Sequence, residues 1–102
     1  TESDAAAFLE YEAKKLGLEL SFNPIVASGS NGSMPHHEPS NAKIKRGFCV
    51  IDFGVKYKGY CSDITRTIYI GKPSSEERDI YNDLLRVQEG AIDLVGKNKK
   101  YL

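Results

Sequence analysis

The sequence contains only two cysteines, Cys49 and Cys61, and no CxxC motif. Two thiols so placed do not make a disulfide framework, and we expect both to be reduced, as is usual in the cytosol. The formal net charge is zero, from 14 basic and 14 acidic residues, so electrostatic capture of nucleic acid or of a membrane surface is not expected. No apolar run approaches the roughly 18 residues of a transmembrane helix, and we expect no signal peptide. These absences predict a cytoplasmic protein with neither nucleic acid nor membrane as a partner.

The first residues of this chain of 102 residues have the pattern of a helix. Thr1 is placed to cap the helix, Asp4 lies in the first turn, where the helix dipole favours a negative charge, and Gly17 is well placed to end it. The apolar residues that recur at helical spacing, which we expect to pack in the core, are Ala5, Phe8, Leu9, Ala13 and Leu16.

Strand patterns occupy the middle of the chain, and a tight turn is predicted within residues 57–59. Pro24 marks an edge or a bend, because proline cannot donate to a strand ladder. The predicted segments are a strand at 18–27, a loop rich in Gly, Ser, Asn and Pro at 28–41, and two hairpin strands at 48–56 and 60–70.

A second helix is predicted near the end of the chain, where Ser74 and Glu77 have capping-box spacing. Residues 96–102 are basic, and we expect them to form a frayed tail. The predicted fold class is therefore α+β, in the order helix, strand, loop, long antiparallel hairpin, helix. The residues expected on the buried face of the second helix are Ile80, Tyr81, Leu84, Leu85, Gln88, Ala91, Ile92 and Val95.

Two carboxylates, Asp52 and Asp63, interrupt the hairpin strands eleven positions apart. A two-residue turn at Tyr57-Lys58 would place them directly opposite each other, whereas a turn at Lys58-Gly59 would make them diagonal neighbours. Both registers leave them on one face, because side chains alternate along a strand. A loop with an odd residue count and no bulge would place them on opposite faces.

The face that carries the aspartates is dominated by oxygen-bearing side chains, while the other face is mostly apolar and can accept the helices. Carboxylates about 5 Å apart repel each other by on the order of 3 kcal/mol at an effective dielectric near 20. A bound divalent cation or a proton shared by the two groups would relieve this repulsion. Alternatively, the two groups are exposed and hydrated, or they pair with Arg66 or Lys56. The pattern alone leaves these three explanations open.

Two histidines, His36 and His37, lie in the predicted loop, where Pro35 and Pro39 restrict the backbone. A loop histidine is more often a solvated surface residue than a ligand or an acid-base group. Only association with the aspartates would change that interpretation.

Three strings of this sequence resemble the pita-bread metallopeptidases. The resemblance is strongest to Xaa-Pro dipeptidase (prolidase) and Xaa-Pro aminopeptidase, with methionine aminopeptidase and creatinase as more distant relatives. Its most specific part is the pair of DFG and SDITRT segments with their eleven-residue interval. The strings are SMPHH at 33–37, SNAKIKRGFCVIDFG at 40–54 and YCSDITRTIYIGKPS at 60–74.

The resemblance implies that residues 1–95 are the first half of a catalytic domain whose two pseudo-symmetric halves enclose two divalent cations. Asp52 would bind one metal through both oxygens, and Asp63 would bridge the pair. His36 would contact the substrate and help to stabilise the tetrahedral intermediate, whereas His37 has no role in the family pattern. The implied reaction is hydrolysis of an Xaa-Pro bond in a peptide or dipeptide by a metal-bridging hydroxide, with Mn, Co, Zn or Fe as the metal.

The family completes its metal site with a histidine and two glutamates from the second half of the domain, and no histidine follows Asp63. Glu76, Glu77 and Glu89 do not match those ligand motifs. We therefore expect a fragment of a metal-dependent exopeptidase that binds metal weakly and is inactive alone. Two alternatives are a non-catalytic interaction module of the same fold and a half-domain that forms a homodimer across the missing interface.

Overall fold

The computed structural model describes residues 1–97, which divide into two compact units after residue 72. The first unit holds the strands and the first helix, and the second holds the last helix. No helix within the described residues is long and apolar enough to cross a membrane. The elements are α1 (Glu2–Lys15), β1 (Glu19–Leu20), β2 (Ile25–Ser28), the short 3-10 helix η1 (Gly29–Ser33), β3 (Gly47–Phe53), β4 (Val55–Tyr57), β5 (Tyr60–Cys61), β6 (Ile64–Ile70) and α2 (Ser75–Lys97).

Helix α1 begins and ends as its sequence predicts. Thr1 Oγ1 accepts a hydrogen bond from the backbone N–H of Asp4 at 3.2 Å, and the Asp4 carboxylate accepts one from the Thr1 amine at 2.9 Å. Leu16 caps the other end, and Gly17 follows with a φ of 73°, a left-handed conformation that suits glycine.

The predicted core stripe of α1 is wrong at Phe8 and Leu16, which are 61% and 74% exposed. The buried residues are instead Glu2 and Ala13, which lie eleven positions, or about three turns, apart on one face. Phe8 lies roughly 120° around the helix from Glu2, at about 100° per residue, and Leu16 is beyond the last helical turn. The predicted stripe is therefore centred about 50° around the helix from the buried face, and it includes an exposed phenylalanine.

The predicted strand at 18–27 is two short strands in different sheets, one of order β1-β4-β5 and one of order β2-β3-β6. Pro24 lies between β1 and β2 and is buried. Because proline has no N–H for a ladder, the chain changes sheets at this residue. All the pairings are antiparallel, and β3 is the central strand of its sheet.

The long hairpin turns at Lys58-Gly59, so the diagonal register is confirmed and the register with a turn at Tyr57-Lys58 is wrong. Lys58 and Gly59 have φ values of 49° and 86°. Positive φ at both central residues is the type I′ geometry that matches strand twist in a two-residue hairpin loop. The pairings Asp52 with Thr65 and Lys56 with Cys61 continue the same register on either side of Gly54.

The core of the first unit lies where α1 packs on β2, and its buried apolar residues are Ala13, Val26, Ala27 and Cys49. Burial raises the pKa of the Cys49 thiol, and the negative charge of Glu2 raises it further. Cys49 is free and buried, whereas Cys61 is free and exposed, in agreement with two reduced thiols.

Helix α2 has the predicted capping box. Ser74 Oγ accepts from the backbone N–H of Glu77 at 3.2 Å, and the Glu77 carboxylate accepts from the Ser74 N–H at 2.8 Å. The prediction of a buried face is wrong here, since none of the helix residues is buried and Leu84 is 66% exposed. An apolar helix face becomes buried only against another element. The helix continues to Lys97, and the rest of the predicted tail at 96–102 lies outside the described residues.

Candidate metal-binding face and histidine loop

One face of the β3-β6 pair carries the predicted metal ligand, and we call it the site face. It is formed by Val50 and Asp52 of β3 with their cross-strand partners Thr67 and Thr65 of β6. The opposite face carries Cys49, which is 1% exposed. Ile64 and Ile68 lie on the same face as Cys49 but are 53% and 43% exposed, so the predicted apolar face is buried only in part.

Asp52 is half-buried at the centre of the sheet, between β2 and β6. Its Oδ1 atom is inaccessible to water and has no hydrogen-bond partner among the described residues. Arg66 pairs with Ile51, one position away on the alternate face, and donates to the Thr65 carbonyl at 2.8 Å. Of the alternatives that the pattern leaves open, pairing of Asp52 with Arg66 is therefore not the one observed. A buried carboxylate oxygen without a donor costs about 1–3 kcal/mol, and a bound cation would remove that cost.

Asp63 follows the bend of the hairpin and is exposed. Because the register is continuous through the bend, Asp63 lies opposite Gly54 and is a diagonal neighbour of Asp52. Diagonal neighbours in an antiparallel pair are roughly 7–8 Å apart, a separation that two carboxylate side chains can close around one ion. The backbone register thus places Asp52 and Asp63 near each other, at one end of the β3-β6 pair.

The bend between the two aspartates is held by serine hydroxyls. Ser62 Oγ accepts from the Val55 N–H at 3.0 Å and donates to the Val55 carbonyl at 3.3 Å, and Ser21 Oγ donates to the Ser62 carbonyl at 2.8 Å. A Cβ atom on Gly54 would overlap the Ser62 carbonyl and Ser21 Oγ and would lie 2.8 Å from Cε1 of Phe22. Only glycine fits at this crossing, so Gly54 sets how closely the segment after Asp52 approaches the segment before Asp63.

The segment 29–41, which we call the histidine loop, begins with η1 over the site face. A Cβ atom on Gly32 would lie 3.7 Å from Cγ2 of Val50, so η1 contacts the same face as Asp52. Residues 34–37 then form a turn closed by a hydrogen bond of 3.1 Å from the His37 N–H to the Met34 carbonyl. Pro35 occupies the second position of that turn, which its fixed φ suits. His36 is exposed at the third position, as expected of a loop histidine.

His37 departs from that expectation. Its side chain is only 10% exposed, and Nε2 lies 2.8 Å from Oε2 of Glu2, which is fully buried. Burial by itself raises the pKa of Glu2, but hydrogen bonds from His37, Ser28 and Asn31 outweigh burial and hold the pKa well below its usual range. The sequence gives no sign of this cluster beyond an acidic residue in the first turn of α1, because its members are 26 to 38 positions apart from Glu2.

Two carboxylates alone are too few to complete a metal centre. Within residues 1–97 no group of three or more His, Cys, Asp or Glu side chains is arranged to hold a metal ion. The carboxylate oxygens that are present, one of them buried without a partner, are donors that suit a divalent cation.

Comparison with known proteins gives a consistent set of matches. The model of metallopeptidase family M24 matches residues 1–101. The chain is 43% identical over 94 residues to an Xaa-Pro dipeptidase from Pyrococcus furiosus, an alignment that covers 90% of this chain and 27% of that protein.

Solved structures give the same result. A prolidase from Thermococcus sibiricus matches with a TM-score of 0.84 and 46% identity, over 90% of this chain and 26% of the other. An X-Pro aminopeptidase from Thermotoga maritima matches with a TM-score of 0.81 and 45% identity, over 87% of this chain and 26% of the other. The chain spans about a quarter of the length of these relatives. The likeness confirms the predicted fold class, part of a pita-bread domain.

Proposed function

Because the chain belongs to metallopeptidase family M24, we propose that Asp52 and Asp63 are two carboxylate ligands of the divalent-metal centre of an Xaa-Pro peptidase. The observation that carries the proposal is the buried Oδ1 of Asp52, which has no hydrogen-bond partner among the described residues. A polar atom in that position is expected to have a partner, and a cation is the partner that suits a carboxylate. The continuous register supports Asp63 as the second ligand.

The protein's contribution to such a centre is rigid placement of the ligands. Asp52 belongs to the central strand β3, where pairing on both sides fixes the backbone. Asp63 follows Ser62, whose hydroxyl and carbonyl are both hydrogen-bonded. When bound, divalent ions at a peptidase centre supply Lewis acidity toward the scissile carbonyl and a nucleophile at neutral pH. Asp52 and Asp63 are the residues of this chain that would hold those ions.

His36 is the residue of this chain that we assign to the substrate. It is exposed at the tip of the 34–37 turn, so its imidazole can donate a hydrogen bond to a bound peptide. A positioned donor beside the scissile carbonyl stabilises the negative charge that develops on the oxygen in the transition state. The substrate class we propose, from the names of the relatives, is a peptide or dipeptide with proline after the scissile bond.

The chain by itself is proposed to bind metal weakly and to hydrolyse nothing. Two carboxylates are fewer ligands than a metal pair needs, and no third candidate ligand joins them among the described residues. We expect no cleavage of Ala-Pro by the purified chain with Mn²⁺ or Co²⁺. Turnover that persists through rigorous purification and disappears in Asp52→Asn would refute the proposed inactivity.

Calorimetric titration with Mn²⁺ tests the ligand assignment. We expect a weak binding isotherm for the wild type that is lost in Asp52→Asn and reduced in Asp63→Asn. Asp93→Asn is the matched control, since Asp93 is an exposed carboxylate on α2. Equal heats in all four proteins would mean that Asp52 and Asp63 do not form a site.

A further inference from the structure

Glu2 is buried, charged and hydrogen-bonded to both ends of the histidine loop. Its Oε1 atom accepts from the N–H of Ser28 at 2.8 Å, from Ser28 Oγ at 2.8 Å and from Asn31 Nδ2 at 3.1 Å. Ser28 and Asn31 lie where the chain leaves β2 and starts the loop. One carboxylate oxygen thus holds the incoming end of the loop.

The other oxygen holds the outgoing end. Oε2 of Glu2 lies 2.8 Å from His37 Nε2 and accepts from the N–H and hydroxyl of Ser40 at 3.2 and 2.8 Å. The start of α1 adds two backbone bonds, since the N–H groups of Glu2 and Ser3 donate to the carbonyls of Ala42 and Ser40, each at 3.0 Å. Both ends of the loop therefore meet at one side chain.

His36 lies between the two anchored ends of the loop, directly before the anchored His37. Its neighbour His37 closes the 34–37 turn through its backbone and contacts Glu2 through its ring. The exposed His36 thus directly precedes His37, whose side chain is almost fully buried against Glu2. A buried charge is costly unless it is fully paired, and packing α1 on the sheet requires no charge. The six polar contacts of this one carboxylate therefore indicate that it holds the loop in a fixed geometry.

We propose that Glu2 is a positioning residue, which acts through His37 to fix the direction in which the His36 side chain leaves the loop. The importance of that direction rests on the proposed function, in which His36 contacts the substrate. The anchor itself is a property of the chain alone and is tested without catalysis or metal.

The test is nuclear magnetic resonance on the whole 102-residue chain. In the wild type we expect one χ1 rotamer for His36, read from three-bond couplings, and slow exchange of the His37 amide. His37→Ala removes the ring contact, so we expect the His36 couplings to average and exchange at the His37 amide to rise about tenfold, the factor that one hydrogen bond is worth. His37→Gln can donate to Glu2 from a similar position, and we expect it to restore both signals.

Glu2→Gln keeps the volume but loses one acceptor, and we expect the same averaging at His36 if the variant folds. Glu38→Gln, an exposed acid in the same loop, is the matched control and should leave both signals unchanged. A loss of overall stability would raise exchange throughout β3, whereas the proposed role changes residues 34–40 and spares β3.

Unchanged His36 couplings in His37→Ala would overturn the proposal, as would a failure of His37→Gln to restore them. These outcomes are independent of the metal titration. If the titration shows no metal site at Asp52 while the His36 couplings are unchanged from those expected, only the proposed function is refuted. If His36 is mobile in the wild type while metal still binds at Asp52, only the positioning role of Glu2 is refuted.

Discussion

Asp52 on β3 and Thr65 on β6 form a direct cross-strand pair. That pairing makes Asp63 a diagonal neighbour of Asp52 and places it opposite Gly54. A shift of one residue would move Asp63 to the other side of the ribbon. The carboxylate pair therefore depends on the features that fix the register, which are the Lys58-Gly59 turn and the close crossing at Gly54.

Gly54→Ala should destabilise the first unit by about 2–3 kcal/mol, because a Cβ atom there overlaps the Ser62 carbonyl and Ser21 Oγ. Gly32→Ala is the matched control, since a Cβ at Gly32 meets its neighbours at ordinary contact distances of 3.6 and 3.7 Å. Urea unfolding followed by circular dichroism measures both. Equal free energies of unfolding for the two variants would contradict the prediction, because they would mean that the backbone near Gly54 moves to accommodate a Cβ atom at little cost.

Lys58→Asn should stabilise the hairpin by about 0.5–1 kcal/mol, because Lys58 has a φ of 49° and asparagine tolerates the left-handed region better than lysine. Lys56→Asn removes the same charge from a strand residue, where asparagine is disfavoured, and should lower the stability. Thermal unfolding is the measurement, with a rise of roughly 2–8 °C expected for the first variant. A lower melting temperature for Lys58→Asn would contradict the type I′ assignment.

The buried Glu2 makes stability depend on pH in a defined direction. The pKa of Glu2 is held below its ordinary value of 4.5 by the hydrogen bonds from His37, Ser28 and Asn31, which outweigh the opposing effect of burial. The folded protein therefore binds fewer protons at this group than the unfolded chain, so the stabilisation is present above the unfolded pKa and is lost as pH falls below it. The other titratable groups beside Glu2 are His37 and Cys49.

We therefore expect the free energy of unfolding of the wild type to fall steeply as the pH drops below about 4.5. The free energy of unfolding of Glu2→Gln should be about 3 kcal/mol lower than that of the wild type at neutral pH, because buried donors lose their charged acceptor. It should also fall less than that of the wild type on acidification. Urea unfolding at several pH values measures both effects, with the exposed Glu38→Gln as control. Parallel pH profiles for wild type and Glu2→Gln would contradict the prediction.

The two thiols should differ in reactivity. Burial raises the pKa of the Cys49 thiol, the charge of Glu2 raises it further, and the residue is 1% exposed. Since the thiolate is the reactive form, a reagent such as 5,5′-dithiobis(2-nitrobenzoic acid) should modify Cys61 alone in the folded protein. Cys49 should react only after urea unfolding, and Cys61→Ser should lose the fast reaction. Equal rates for both thiols in the folded state would contradict the buried position of Cys49.

The features that the sequence predicted correctly are encoded in a few neighbouring residues. Both helix starts depend on a capping residue and an acid three positions later, and the type I′ turn depends on Gly59. Strand alternation predicts Asp52 and Asp63 on one face in either of two registers, and the observed turn at Lys58-Gly59 selects the diagonal one.

The features that the sequence did not predict depend on distant residues or on packing partners. Glu2 binds residues up to 38 positions away, and nothing in the local pattern distinguishes it from a surface acid. The buried face of α1 contains Glu2 and Ala13, one of which is charged. Hydropathy alone predicts a buried face that contains Phe8, which is exposed. The apolar face of α2 was predicted to be buried, but burial requires a partner that the pattern of one helix does not specify.

The most direct test of the metal-binding assignment is to titrate the ¹⁵N-labelled chain with Mn²⁺ and to follow paramagnetic broadening residue by residue. We predict that the amide signals of Asp52, Asp63 and Thr65 broaden first, and that Asp52→Asn abolishes this selectivity. Broadening that begins instead at the acidic first turn of α2, or that spreads evenly over exposed carboxylates, would contradict the assignment of Asp52 and Asp63 as metal ligands.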